Sequence, residues 1–354
     1  MRQGLNKKRL YLIALILILI TLLLLTSMGR VNKEDGENVR VLPEASDPSR
    51  ITPEPSQTVS APTMNTVVYY QDDNGYLVPV MRTIKAEEGI AKATLKMMVK
   101  SVYNDMEAAR LGLRCVIPEN TAFDLDISGG IAYVDMSREA LSCRDAESEE
   151  KMIAGIVQAL TDFETVDSVR FRIAGRDQEK LTHGTDISGE FKKGMINLES
   201  AKLETGAKTV TLYFTGDSPQ MIVPVTRVVY GEKDLQTAVV ELVKGPAAVS
   251  PLNGVVPPGC GLISAKVTDG VAKIDFTKDF IKIAEETDGG RLALRALVLT
   301  CLEFPGIDSV EILVEGEKYD TGEGTLSKPT FVNSADDIYD AFIYSSSELL
   351  FDFE

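Results

Sequence analysis

The sequence predicts an α+β protein: two tandem repeats of a β-β-α-β-β-α-β domain, helices packed on a mixed sheet, preceded by one N-terminal transmembrane helix. Three observations carry this. First, four blocks recur in the same order. Thr66–Tyr70 (TVVYY) matches Thr209–Tyr213 (TVTLY), and Tyr76–Arg82 (YLVPVMR) matches Met221–Arg227 (MIVPVTR). Gly130–Glu139 (GIAYVDMSRE) matches Gly270–Asp279 (GVAKIDFTKD), and Asp167–Gly175 (DSVRFRIAG) matches Asp308–Gly316 (DSVEILVEG). The offsets are 143, 145, 140 and 141. Second, the blocks alternate between strand-period and helix-period hydrophobicity. Third, Leu10–Met28 is a run of 19 residues without a charge.

The elements follow in order. A 19-residue helix rises about 1.5 Å per residue and roughly spans a hydrocarbon core of ~30 Å. Lys7, Lys8 and Arg9 precede it, which places the N-terminus in the cytoplasm. The alternative is a cleaved signal peptide ending near Ser27-Met28-Gly29, with secretion of the remainder. No cysteine follows the run before Cys115, so no lipid-acceptor site is present there. Residues 31–65 hold Pro43, Pro48, Pro53, Pro55 and Pro62 among polar residues, the composition of an extended tether.

Each copy opens with two β-branched strands, linked in copy one through Asn74-Gly75, a hairpin signal. A helix follows with Ile90, Ala93, Met97 and Met98 on one face, matched by Leu235, Ala238, Leu242 and Val243. A Gly/Pro-containing loop ends at Ile117-Pro118 and Val256-Pro257. The next hairpin points Ala132, Val134 and Met136 one way, as it does Ala272, Ile274 and Phe276. The second helix carries Met152, Ile153, Ile156, Val157 and Leu160, matched by Ala293, Leu294, Leu297, Val298 and Cys301. The last strand turns Val169, Phe171 and Ile173 inward, matched by Val310, Ile312 and Val314. Pro79 and Pro224 sit within the second strand of each copy. Proline cannot donate to a ladder, so that strand is a sheet edge or carries a bulge.

Composition narrows the function classes. The chain has 354 residues, 44% hydrophobic and 25% charged, with a net charge of −16. The first thirty residues carry five basic and no acidic side chains, so the rest carries −21. That balance argues against nucleic acid as a partner. One histidine, His183, excludes a multi-histidine metal site, and the cysteines at 115, 143, 260 and 301 form no CxxC pair. Cys115–Cys143 or Cys260–Cys301 can oxidise outside the membrane, though no spacing encodes either pair.

Asp135 and Asp275 are the strongest catalytic candidates, because both copies place them at the end of the same strand. Their structural alternative is to cap the turn beyond, where Ser137 and Thr277 follow. Acid–base chemistry needs a second convergent carboxylate, for which Glu139 and Asp279 are the nearest. His183 reads as a solvated linker residue in a flexible stretch. Gly259-Cys260-Gly261 and Gly289-Gly290 lack the rest of a phosphate loop. From Thr325 onward, acids alternate with Phe331, Tyr339, Phe342, Tyr344, Phe351 and Phe353: a solvated tail or an acidic-aromatic docking segment. The residues thus assign no catalytic, cofactor-binding or metal site.

The matched residues resemble the GerM domain family. The resemblance runs through Val240-Glu241-Leu242-Val243-Lys244-Gly245-Pro246, Val256-Pro257-Pro258-Gly259 and Val271-Ala272-Lys273-Ile274-Asp275. It ends on Phe304-Pro305-Gly306-Ile307-Asp308-Ser309-Val310. Copy one is more diverged, with Ser101 in the place of Pro246 and a longer loop after its first helix. The resemblance implies a non-enzymatic sporulation and germination protein, helping to assemble an envelope complex between mother cell and forespore. It also implies partners among envelope or sporulation-complex proteins, or further copies of the chain, since GerM domains are similar to ring-building modules of secretion systems. The family's familiar sporulation member is a lipoprotein; here Leu10–Met28 would anchor instead. An envelope hydrolase acting on cell wall and a receptor for a small ligand between the copies are the alternatives.

The expected partition is a basic tip (1–9), a transmembrane anchor (10–28) and a tether (29–65). Two GerM-like domains (66–178 and 209–320) follow, separated by a linker (179–208), and an acidic tail (321–354) closes the chain.

Overall fold

The computed structural model describes residues 62–86, 89–200, 205–216, 221–285, 287–322 and 326–338. The Leu10–Met28 segment, most of the tether and the tail from residue 339 lie outside the described residues. Among the described residues no helix is long and apolar enough to cross a membrane.

In copy one, β1 (Thr63–Gln71) and β2 (Leu77–Lys85) form an antiparallel hairpin. Its link is closed by Asp72, whose Oδ1 accepts the amides of Asn74 and Tyr76 at 3.0 and 2.7 Å. Gly75 takes the positive φ that the turn needs. Then come α1 (Ile90–Met97), α2 (Val102–Ala109), β3 (Phe123–Ser128), β4 (Ile131–Met136), α3 (Ala146–Thr161) and β5 (Ser168–Ile173). A short strand, β6 (Phe191–Lys192), closes the set. Copy two repeats the order with β7 (Lys208–Thr215), β8 (Ile222–Val229), α4 (Leu235–Val243), β9 (Leu262–Thr268), β10 (Val271–Phe276), α5 (Thr287–Leu302) and β11 (Ser309–Val314). β12 (Glu317–Lys318) and β13 (Leu326–Ser327) both add to β11.

The strands are those the alternation predicts, but they do not make one sheet per copy. β1-β2 and β7-β8 stand as separate ribbons, apart from the mixed sheets β3-β4-β5-β6 and β9-β10-β11-β12. β3 and β4 pair antiparallel, β4 and β5 parallel, and copy two follows suit. The helices lie between ribbon and sheet: α3 packs on β1 and β5, and α5 on β7 and β11. A helix covered on two sides must bury more than one stripe. Accordingly α3 buries Gly155, Gln158 and Ala159 besides the predicted Met152, Ile153, Ile156, Val157 and Leu160. Gly155 permits the close approach: a Cβ there would lie 3.1 Å from Met98 Cε and 3.3 Å from Val116 Cγ2. Each fully buried aliphatic side chain in this core contributes about 1.5–3 kcal/mol.

Three other expectations need correction. The buried face of α1 is Ala91, Thr94 and Leu95, with Met98 at its C-cap, one residue on from the predicted stripe. These residues fall opposite Leu235, Ala238, Val239 and Leu242. Thr94 tolerates burial because its hydroxyl meets that of Thr66 at 2.6 Å. The Gly/Pro-containing loop of copy one contains α2, capped by Ser101, whose Oγ accepts the Asn104 amide at 3.1 Å. The linker is folded: Leu181, Ile187 and Ile196 are buried, and Phe191 pairs with Val169. β6 and β13 join β5 and β11 at matching positions, Ser168–Val169 and Ser309–Val310. Each copy is thus followed by a short strand that adds to its last predicted one.

Candidate functional site between the two copies

β2 is paired with β1 on one side only, so its outer N–H and C=O groups need other partners. Pro79 removes one of those donors. β8 is in the same position, with Pro224. Both outer edges face the sister copy, and two asparagines satisfy them. Asn197 Oδ1 accepts Leu77 N at 2.8 Å, and its Nδ2 donates to Leu77 O and Pro224 O, each at 2.8 Å. Asn333 does the reciprocal work. Its Oδ1 accepts Ile222 N at 2.8 Å, and its Nδ2 donates to Ile222 O at 2.8 Å and Pro79 O at 2.9 Å. Leu77 and Ile222 are equivalent positions, as are Pro79 and Pro224.

The segments carrying these asparagines run alongside the opposite copy. Ser334 bridges Met81 of copy one, and Leu198 bridges Thr226 of copy two. Asn197 has a φ of +50°, in the left-handed region that asparagine tolerates better than most residues. Arg227 fastens the first segment. Its Nε and Nη2 grip Glu199 at 2.6 and 3.0 Å, and its Nη groups reach the carbonyls of Glu241 and Gly245, each at 2.9 Å. Arg295 fastens the second by donating to the Phe331 carbonyl. Tyr76 Oη and Ser250 Oγ add a contact between the copies at 3.0 Å. Sequence reasoning missed this lock. Its signal was Met195-Ile196-Asn197 against Phe331-Val332-Asn333, three residues each.

Beneath the lock lies a cleft of about 710 Å³, lined from both copies. Tyr69 Oη donates to Asp162 Oδ2 at 2.9 Å, and Tyr213 Oη donates to Glu303 Oε1 at 2.6 Å. The two are counterparts, since Tyr69 lies opposite Pro79 and Tyr213 opposite Pro224; the first matched block is therefore one residue out of register, having paired Tyr70 with Tyr213. Lys193 pairs with Asp162 at 2.7 Å, and Lys233 and Lys328 also reach the cleft. Burial pushes both phenols well above their ordinary range, and the Asp162 and Glu303 charges add to the rise. Both hydroxyls are therefore protonated donors at neutral pH, not nucleophiles.

The predicted catalytic residues are held elsewhere. Asp135 Oδ1 accepts the Gly175 amide at 2.9 Å, and Asp275 Oδ1 accepts the Gly316 amide at 3.0 Å. Ala174-Gly175 and Glu315-Gly316 all have positive φ, so each aspartate ties down a strained two-residue turn. Glu139 turns to Ser137, and Asp279 pairs with Lys282 at 2.6 Å; neither is hydrogen-bonded to the strand aspartate. Among the described residues no group of three or more His, Cys, Asp and Glu is placed to hold a metal.

His183 is exposed, but its loop is not loose. Buried Glu149 accepts the amides of His183 and Thr185 at 2.8 and 3.2 Å, and His183 Nε2 meets the Cys143 carbonyl at 2.8 Å. All four cysteines are free and buried. Burial pushes the thiols of Cys115 and Cys301 up to about 12 and that of Cys143 up to about 11. Together with the two phenols, these groups fix the sign of an alkaline effect. The native state keeps protons that the unfolded chain releases, the thiols from roughly pH 9 and the phenols from roughly pH 10. The stability these groups contribute is therefore full below about pH 8 and falls as pH rises through that range. Urea titrations from pH 7 to 11 should show a declining midpoint, and a smaller decline in Tyr69→Phe/Tyr213→Phe. A flat profile would contradict the burial of these groups.

Two copies of one α+β domain, locked edge to edge, define a tandem-domain protein with no assembled catalytic group among its described residues. The chain belongs to the Germane family, sporulation and spore germination, which matches residues 67–179 and 211–320. It is 30% identical over 322 residues to the spore germination protein GerM of Bacillus subtilis (strain 168), covering 86% of this chain and 87% of that one. Among solved structures it is similar to the tandem GerMN domains of the sporulation protein GerM from Bacillus subtilis. The TM-score is 0.67 at 30% identity, over 77% of this chain and 99% of that one. Both relatives are named as sporulation or germination proteins, and neither as an enzyme.

Proposed function

We propose that this chain is a non-enzymatic, membrane-anchored extracytoplasmic protein of sporulation and germination that helps assemble an envelope complex between mother cell and forespore. The observation that carries the reading is the lock: both copies match the family, and Asn197 and Asn333 hold them as one body. A fixed pair of domains suits a protein that positions partners, because no ordering cost is added on docking. Leu10–Met28 supplies the anchor and the Pro-rich tether holds the body clear of the membrane. The cleft favours a second reading, a receptor for a small ligand between the copies. The hydrolase reading is disfavoured, because Asp135 and Asp275 are committed to turn amides.

A clean deletion is expected to lower the yield of spores or their outgrowth. Complementation with Asp135→Asn/Asp275→Asn should restore it, since an amide oxygen still accepts the Gly175 and Gly316 amides. Normal sporulation and germination in the deletion strain would remove the sporulation role. A folded double variant that fails to complement would revive the enzyme.

A further inference from the structure

α2 has no counterpart in copy two, and it turns its apolar side chains outward. Val102 is 90% exposed, Tyr103 66% and Met106 49%. The spacing i, i+1, i+4 puts the three on one face. The helix is held firmly all the same. Asn104 Nδ2 donates to the carbonyls of Lys96 and Val99, and Glu107 pairs with Arg82 at 2.9 Å. A preformed helix that presents three large apolar side chains is a docking surface.

Its electrostatics select the occupant. The helix's own acids already have partners: Asp105, though exposed, interacts with the Cys115 thiol, and Glu107 is taken by Arg82 and Arg110. Lys96 and Lys100, both exposed, remain beside the apolar face. A basic rim around an apolar helix, on a body whose remainder is strongly acidic, fits an acidic segment rich in aromatic side chains. The chain carries one. Residues 339–354 contain Asp340, Glu348, Asp352 and Glu354, no basic residue, and Tyr339, Phe342, Tyr344, Phe351 and Phe353. The described body delivers this segment close by. Ser334 runs beside Met81, the neighbour of the Arg82 that grips α2, and Ile338 is the last described residue. Sixteen further residues reach roughly 50 Å when extended, ample for the distance.

We propose that residues 339–354 cover the outer face of α2 in the same chain, masking a surface that a partner must displace them to reach. The test places a benzoylphenylalanine photocrosslinker at Tyr103 of the full chain, in detergent at a concentration where the chain is monomeric. Irradiation should give an intrachain crosslink that mass spectrometry maps to residues 339–354. Lys96→Glu with Lys100→Glu should lower its yield roughly tenfold, the effect of losing two exposed ion pairs. Adding Asp352→Lys and Glu354→Lys should restore it. A circular dichroism spectrum unchanged across the set excludes misfolding as the cause. A crosslink to a second chain, to detergent, to another part of the body, or none at all would overturn the proposal.

Discussion

Replacing both Asn197 and Asn333 with alanine should uncouple the two copies. Each side chain satisfies three backbone groups on the facing strand edges. Asn333 is buried, so its loss strands the Ile222 amide and two carbonyls away from water. A buried polar group left unpaired costs about 1–3 kcal/mol. Water reaches the half-buried Asn197 more easily, but alanine there also meets the positive φ. The expected total is about 4–6 kcal/mol, a fall in Tm of roughly 10–15 °C for a body of this size. The shape of the transition should change as well. The parent should unfold in one step, and the double variant in two, since each copy keeps its own ribbon, helices and mixed sheet. A single transition at the parental midpoint would show that the asparagines do not join the copies.

The second large effect is expected at Arg227. Its guanidinium is 12% exposed, and it faces Glu199 and Glu241, at 13% and 17%. Arg227→Met would leave Glu199 without its cation and Glu241 with Lys244 alone, in a poorly hydrated site, at a cost of about 3 kcal/mol. The pair Glu199→Gln/Glu241→Gln in the same background should recover most of that loss, because the uncompensated charge is then gone. The equivalent Arg82 meets one half-buried partner, Glu107, which also keeps Arg110, so Arg82→Met should cost less. Urea midpoints of the three variants check the ranking. Equal losses at Arg82 and Arg227 would contradict the role given to Glu199 in fastening the crossing segment.

What was legible in the sequence was whatever obeys a local period. The repeat, the paired strands and the second helix of each copy follow from alternation and spacing. The edge position of β2 and β8 followed from Pro79 and Pro224, since proline has no donor to give a ladder. What was hidden depends on groups distant in sequence. Asn197 and Asn333 look like ordinary loop residues until strands from two copies are brought beside them. Glu149, in the first turn of α3, is buried because two loop amides distant in sequence reach it. α2 defeated the periodic reading for a different reason. It buries only Ala108, so no inward stripe announced it. The same principle misplaced the face of α1: a buried threonine pairs with another hydroxyl and then behaves as a core residue.

The proposed role requires the two copies to act as one rigid body, and amide residual dipolar couplings on the aligned protein test that directly. One alignment tensor should fit the amides of residues 67–179 and 211–320 together in the parent, and two should be needed after Asn197→Ala/Asn333→Ala. Two distinct tensors in the parent itself would contradict the lock, and with it the reading of this protein as a fixed tandem module.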